Sequence, residues 1–327
     1  MARSDLLINL VKASANGDKQ TVHRTVEAMV AEERAKRHNV LAERLEQALR
    51  INGNGASLRS VSQTDTSGRG RHFVSEAVPK RVLNELILPE ITERAARQLI
   101  EEQLRASVLR SHSLEPRHRV LLVGPPGNGK TSLAEAIAEA LALPLLTVRY
   151  ESMIGSFLGE TASRLKHVFD YVRTTPCVLF FDEFDAVGKE RGDTHETGEI
   201  KRVVTSLLMQ IDELPSYVVV VAATNHAELL DRAVWRRFEL RLSLPAPDEK
   251  QIAAFIGNLS QRADIELGIK PQQVAKTLGL VSYSEAEQFF LDLARRQVLS
   301  MGEHSASDIA KEQLSIWASR ARSSDKS

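Results

Sequence analysis

Eight consecutive residues, Gly124-Pro125-Pro126-Gly127-Asn128-Gly129-Lys130-Thr131, have the types and spacing needed to hold a chain of phosphates. The glycines let the backbone curl with its N–H groups inward, a nest for anionic oxygens. Lys130 supplies a point charge for β- and γ-phosphates, and Thr131 supplies a hydroxyl for Mg²⁺. Ser132 extends the contact stretch into the following segment. Such a loop works only between a strand and a helix. Val120-Leu121-Leu122-Val123 precedes it and an Ala-rich stretch, 133–143, follows. This is the P-loop in its required context, with a helix N-terminus adding partial positive charge.

A second set of residues completes the chemistry. In Val178-Leu179-Phe180-Phe181-Asp182-Glu183 an apolar run ends in two carboxylates. An aspartate at a buried strand's end can hold Mg²⁺ through water. The adjacent glutamate can orient an attacking water or accept its proton. Acidic residues also end strands for no chemical reason, and it is the complete P-loop upstream that gives Asp182 and Glu183 this meaning.

The elements that must carry these residues alternate in type. Apolar runs at 145–150, 178–181, 217–223 and 238–244 read as strands. Stretches 161–173 and 198–212 have helical spacing. Alternating strands and helices imply an α/β fold, a P-loop NTPase core whose parallel β-sheet lies between helices. Ligands of such sheets bind at the carboxyl ends of the strands, where the chemical residues fall.

At this point the chain resembles the ATPase module of the AAA family, a branch of the AAA+ ATPases. The resemblance rests on Gly-Pro-Pro-Gly-x-Gly-Lys-Thr, then Phe-Phe-Asp-Glu-Phe-Asp, then Ala222-Ala223-Thr224-Asn225, and covers roughly 80–300. It implies ATP and Mg²⁺ as cofactors. It implies that Asn225, as the polar residue called sensor 1, orients water or touches the γ-phosphate; a turn or cap residue is the bland alternative. Leu230-Asp231-Arg232-Ala233-Val234-Trp235-Arg236-Arg237-Phe238 resembles the family's arginine-finger segment. There Arg236 and Arg237 would reach a neighbouring subunit's γ-phosphate. Family members often have two further residues between these arginines, so the segment is shortened here.

Ser156-Phe157-Leu158-Gly159-Glu160-Thr161 resembles the family's pore loop. In a ring, Phe157 and Leu158 would line the channel against an extended polypeptide, and Gly159 would permit the bend before the next helix. The alternative is that Phe157 and Leu158 are ordinary packing residues at a loop–helix junction. Polar residues 189–197 form either a second pore-facing loop or a solvent loop. Tyr283-Ser284-Glu285-Ala286-Glu287 loosely resembles the family's nucleotide-facing Ser-Gly-Ala-Asp turn, with Glu285 in place of glycine, and carries no assigned role.

Outside this core the chain divides by composition. Residues 1–51 carry apolar side chains at helical spacing (Val22, Val26, Met29, Val30, then Leu41, Leu45, Leu49) and read as an N-terminal helical domain. It is either a packed unit or a docking module. Residues 52–72 are rich in Gly, Ser, Thr and Asn and read as a flexible linker. The ATPase core is placed at 73–244. Residues 245–327 form a C-terminal helical lid opened by Asp248 as a cap, with a disordered tail from Ser323.

The whole chain limits the setting. Its 327 residues suit about two domains. Lys plus Arg and Asp plus Glu are 43 each, so no basic field points to nucleic acid. One cysteine, Cys177, allows no internal disulfide. No signal-peptide pattern or membrane-length apolar run is present, and a cytoplasmic protein is the expectation. Without an Asn-Lys-x-Asp sequence the base reader of a GTPase is missing.

The leading expectation is a Mg²⁺-dependent ATPase, a homo-oligomer built as a hexameric ring, that remodels or translocates a polypeptide substrate. A second reading is an ATP-dependent regulatory module that switches a partner protein, a protease or toxin. Short bacterial members of similar architecture accompany subtilisin-like proteases in phage or plasmid defence. A DNA-linked ATPase ranks third, because the neutral charge and the aromatic loop argue against it.

Overall fold

The computed structural model describes Thr25 and residues 70–149, 158–185, 197–300 and 303–324. The chain divides into two compact units, Met1–Thr64 and Asp65–Ser327. The N-terminal helical domain expected over 1–51 lies outside the described residues except for Thr25. All elements below belong to the second unit.

The six strands are β1 (Val74–Ala77), β2 (Arg119–Val123), β3 (Leu145–Val148), β4 (Cys177–Phe181), β5 (Val218–Thr224) and β6 (Leu240–Ser243). They form one sheet in the order β1-β3-β4-β5-β2-β6. Every neighbouring pair is parallel except β1 with β3. Strands β4 and β5 are buried along their whole length. Covered faces on both sides are what make a parallel strand read as an unbroken apolar run. Edge strand β6 alternates buried and exposed residues, Leu240 and Leu242 inward. β1 was not foreseen: Val-Ser-Glu-Ala has one buried position, and it joins the sheet by pairing Val74 with Val148 and Ala77 with Leu145.

The helices preceding the C-terminal region are α1 (Glu90–Leu104), α2 (Ala106–Ser111), α3 (Lys130–Ala140), α4 (Leu158–Val172), α5 (Thr197–Asp212) and α6 (Arg232–Arg237). Side chains on alternate strand positions point to opposite faces. Leu121, Leu179, Phe181 and Val220 therefore meet Leu165 and Phe169 of α4 and Leu207 and Ile211 of α5. Val120, Leu122, Phe180 and Val221 meet Leu133 and Ile137 of α3 and Ala96 and Leu99 of α1. Burying each such Leu or Phe contributes about 1.5–3 kcal/mol.

Several boundaries differ from the sequence reading. The strand expected over 145–150 ends at Val148. Helix α4 begins at Leu158, so Gly159 lies in its first turn and not in a bend before it. The buried side of α1 runs out before its end: Leu104 is 65% exposed, and Val108, beyond the break at Arg105, is 55% exposed.

Four further helices follow: α7 (Glu249–Ala263), α8 (Pro271–Leu278), α9 (Tyr283–Ser300) and α10 (Ala306–Ser324). Asp248 caps α7 through a reciprocal box with Gln251, at 2.7 and 2.9 Å. These helices bury their own core around Ile256, Val274, Phe289 and Leu293. Helix α10 extends through Ser324, past the expected start of the tail at Ser323, and 325–327 lie outside the described residues.

Candidate active site

The sheet register brings three strand ends together. Val123, the last residue of β2, lies beside Thr224, the last of β5, and Phe181 of β4 lies beside Ala222. The residues that follow are Gly124, Asn225 and Asp182. Two main-chain bonds tie these ends: Gly124 N–H donates to Thr224 O at 3.3 Å, and Phe184 N–H to Ala223 O at 2.8 Å.

In the loop, Gly127 and Gly129 have φ of 76° and 85°, the left-handed region where a side chain is strained. Gly129 is also the N-cap of α3. The turn at Gly129 launches α3 with Lys130 and Thr131 in its first turn. Lys130 is buried, and its Nζ donates to the carbonyls of Gly124 (2.7 Å) and Pro125 (2.9 Å). Burial holds its ammonium below the ordinary lysine value, while Asp182 and Asp185 pull it back up.

Thr131 Oγ1 lies 3.4 Å from Asp182 Oδ2, to which it donates, and Asp182 Oδ1 accepts the Glu183 N–H at 3.0 Å. Glu183 adopts φ of 49° although it is not glycine. A residue held in this sparsely populated region marks a place where the fold fixes a direction against local preference. Its side chain is exposed. Asn225 Oδ1 and Asn128 Oδ1 are buried and accept no hydrogen bond.

Pro126, Gly127, Asn128, Gly129, Lys130, Thr131 and Ser132 line one cleft of about 340 Å³ with Asp182, Glu183 and Asn225. Gly124 and Pro125 sit behind it, where their carbonyls take Lys130. The donor set fits a triphosphate: left-handed glycines and a buried ammonium. The hydroxyl–carboxylate pair of Thr131 and Asp182 suits Mg²⁺, which keeps several waters and uses phosphate oxygens. Among the described residues no cluster of three or more His, Cys, Asp or Glu could hold a metal by itself.

The other end of the cleft was not legible as a site. Leu86, Ile87 and Leu88 face Phe255 and Tyr283 across it. The two aromatic rings pack edge to face at 5.0 Å, and Tyr283 OH donates to Ile87 O at 3.2 Å. Burial, with a smaller push from Asp248, raises the Tyr283 phenol to about 12, so it remains a donor. Two ion pairs rim this end, Arg262–Glu85 at 3.1 Å and Arg81–Glu287 at 3.5 Å. Helical spacing marks Phe255 and Tyr283 as apolar but cannot tell a core from a cleft wall. Glu285, odd against a glycine-containing turn, closes a capping box with Ser282: it accepts Ser282 N–H at 2.7 Å and gives its own N–H to Ser282 Oγ at 3.2 Å.

Arg236 and Arg237 lie in α6, which Asp231 caps by accepting the Ala233 N–H at 3.1 Å. Both are exposed and neither lines the cleft of its own chain. Arg237 pairs with Asp212 at the end of α5, which also holds Arg119 at 3.1 Å. Among the described residues Arg236 makes no ion pair. Phe157 lies outside the described residues, as do 189–196. Leu158 and Gly159 fall in the first turn of α4. No helix among the described residues is long and apolar enough to cross a membrane.

Residues 120–246 match the family described as ATPase family associated with various cellular activities (AAA). A Sinorhizobium fredii protein named as an AAA family ATPase is 34% identical over 88% of this chain and 87% of its own length. The peroxisomal ATPase pex6 of Schizosaccharomyces pombe is 33% identical over 61% of this chain. The ATP-dependent zinc metalloprotease FtsH of Photobacterium profundum is 32% identical over 62% of it. The matched regions span 22% and 30% of those two longer proteins.

Proposed function

We propose that this chain, which belongs to the AAA family of ATPases, hydrolyses Mg²⁺-bound ATP in a hexameric ring and uses the energy to remodel or translocate a polypeptide. The observation that carries this reading is the meeting of Lys130, Thr131, Asp182, Glu183 and Asn225 in one cleft at the carboxyl ends of β2, β4 and β5.

The roles follow from chemistry. The loop N–H groups and Lys130 hold the β- and γ-phosphates. Thr131 and Asp182 would hold Mg²⁺, which would supply charge neutralisation during phosphoryl transfer. Glu183 takes the proton of the attacking water, and Asn225 orients that water against the γ-phosphate. The aromatic and aliphatic walls at Phe255, Tyr283 and Ile87 accept the base. Arg236 and Arg237 are exposed and do not line the chain's own cleft, and Arg236, with no ion pair among the described residues, is the one placed to act on a neighbour's γ-phosphate, which favours a shared site.

Polypeptide as substrate is supported by relatives whose names join such modules to peroxisomes and to proteolysis. The latter also favours a protease, of the subtilisin-like type or another, as a partner class. Phe157 would grip the polypeptide. The test is the ATPase rate per subunit as protein concentration rises, with and without an unfolded protein. A rate that climbs with assembly and responds to the polypeptide supports the reading. A rate independent of both overturns it. Phe157→Ala should uncouple polypeptide processing from hydrolysis, and processing at the wild-type rate would remove Phe157 from this role.

A further inference from the structure

Asp185 lies three residues beyond Asp182 and has no place in the chemistry above, yet it is a carboxylate only 6% exposed. Burying a carboxylate is expensive unless it is partnered. Its partner is Thr224, itself wholly buried at the end of β5: Thr224 Oγ1 donates to Asp185 Oδ1 at 2.8 Å. Thr224 Oγ1 in turn accepts the His226 N–H at 3.0 Å. With its proton aimed at the carboxylate and its lone pair at the amide, the hydroxyl has a single direction.

Thr224 and His226 flank Asn225. One hydroxyl therefore fixes the residue before Asn225 and the residue after it. The Thr224 carbonyl is occupied as well, by the N–H of Gly124. Asn225 Oδ1, in contrast, accepts no hydrogen bond of its own. The aim of the Asn225 side chain is set by its backbone, and the backbone is set by Thr224.

We propose that Asp185 and Thr224 are positioning residues that hold Asn225 at the angle hydrolysis requires, without touching nucleotide. This rests on the reading of Asn225 as the residue that orients water. A misplacement of about 1 Å can cost about 100-fold in rate, so the latch belongs to catalysis and not only to packing.

The test uses the full chain with Mg²⁺ and ATP, comparing kcat with ATP affinity and thermal midpoint. Thr224→Val keeps the shape and removes the hydroxyl. It should lower kcat about 10- to 100-fold while ATP affinity stays within about threefold. Thr224→Ser, which restores the hydroxyl, should recover most of that loss. In an Asn225→Ala background, Thr224→Val should add less than about twofold, since both act through one side chain. Should Thr224→Val fail to fold, Asp185→Ala carries the same expectations. A slow Asn225→Ala beside a Thr224→Val of wild-type rate overturns the proposal alone, as do losses that multiply in the double variant. Asn225→Ala at the wild-type rate sinks the reading of Asn225 and this proposal with it.

Discussion

Ser284 donates its backbone N–H to the carbonyl oxygen of Gly127 at 3.0 Å, so the first turn of α9 hangs directly on the glycine loop. The C-terminal helices are thereby attached to the cleft at the glycine loop as well as at its aromatic end. There, Tyr283 holds Ile87, and two arginine–glutamate pairs bridge the walls. A change in the loop is felt by α9 with no intervening element.

Gly127→Ala follows from that contact. Its φ of 76° costs an L-residue about 1–2 kcal/mol. The added Cβ would also stand 2.8 Å from Ser282 Oγ and 3.2 Å from Ser284 Cβ. ATP affinity should fall about tenfold or more, read by titration with a fluorescent analogue. Affinity within about twofold of the parent would mean that loop and helix are not coupled.

The two neighbouring arginines should separate by experiment. Arg237 spends its charge on Asp212 within the chain. Arg237→Ala should lower stability by at most about 1 kcal/mol for so exposed a pair, read as a small drop in the unfolding midpoint. Arg236, with no ion pair among the described residues, should leave the midpoint unchanged when replaced by alanine and lower ATPase activity only in the assembled protein. The opposite pattern in melting curves would reverse the assignment.

His118, just before β2, should make stability depend on pH. Burial holds its imidazole below the usual value; Glu239, whose carboxylate is 3.8 Å from Nδ1, opposes this and Arg119 adds to it. The unfolded chain takes up the proton near pH 6.5, whereas the folded chain resists it to lower pH. The group has no effect well above that value, and stability is lost as pH falls below it. Melting midpoints from pH 8 to pH 5.5 should decline less for His118→Gln than for the parent. Equal declines would exclude His118 as a source.

Much of this architecture is legible in the sequence. Val120–Val123, Val178–Phe181 and Val218–Val221 are apolar without interruption because both faces of a central parallel strand are covered. The loop at 124–131 and the pair Asp182–Glu183 were legible because their chemistry constrains consecutive residues. The aromatic end of the cleft was not, because Leu86, Ile87, Phe255 and Tyr283 come from distant segments and look like any core residue. β1 escaped because edge pairing needs backbone bonds more than apolar side chains. The partnership of Asp185 with Thr224 spans 39 positions and leaves no local pattern.

The central claim is that the cleft hydrolyses ATP through Glu183. Its most direct test is single-turnover hydrolysis by Glu183→Gln under saturating Mg²⁺ and ATP, with ATP affinity measured on the same preparation. ATP affinity should stay within about threefold of the parent, and hydrolysis should be slower by about 100-fold or more. Hydrolysis at the parental rate by a protein that still binds ATP would contradict it.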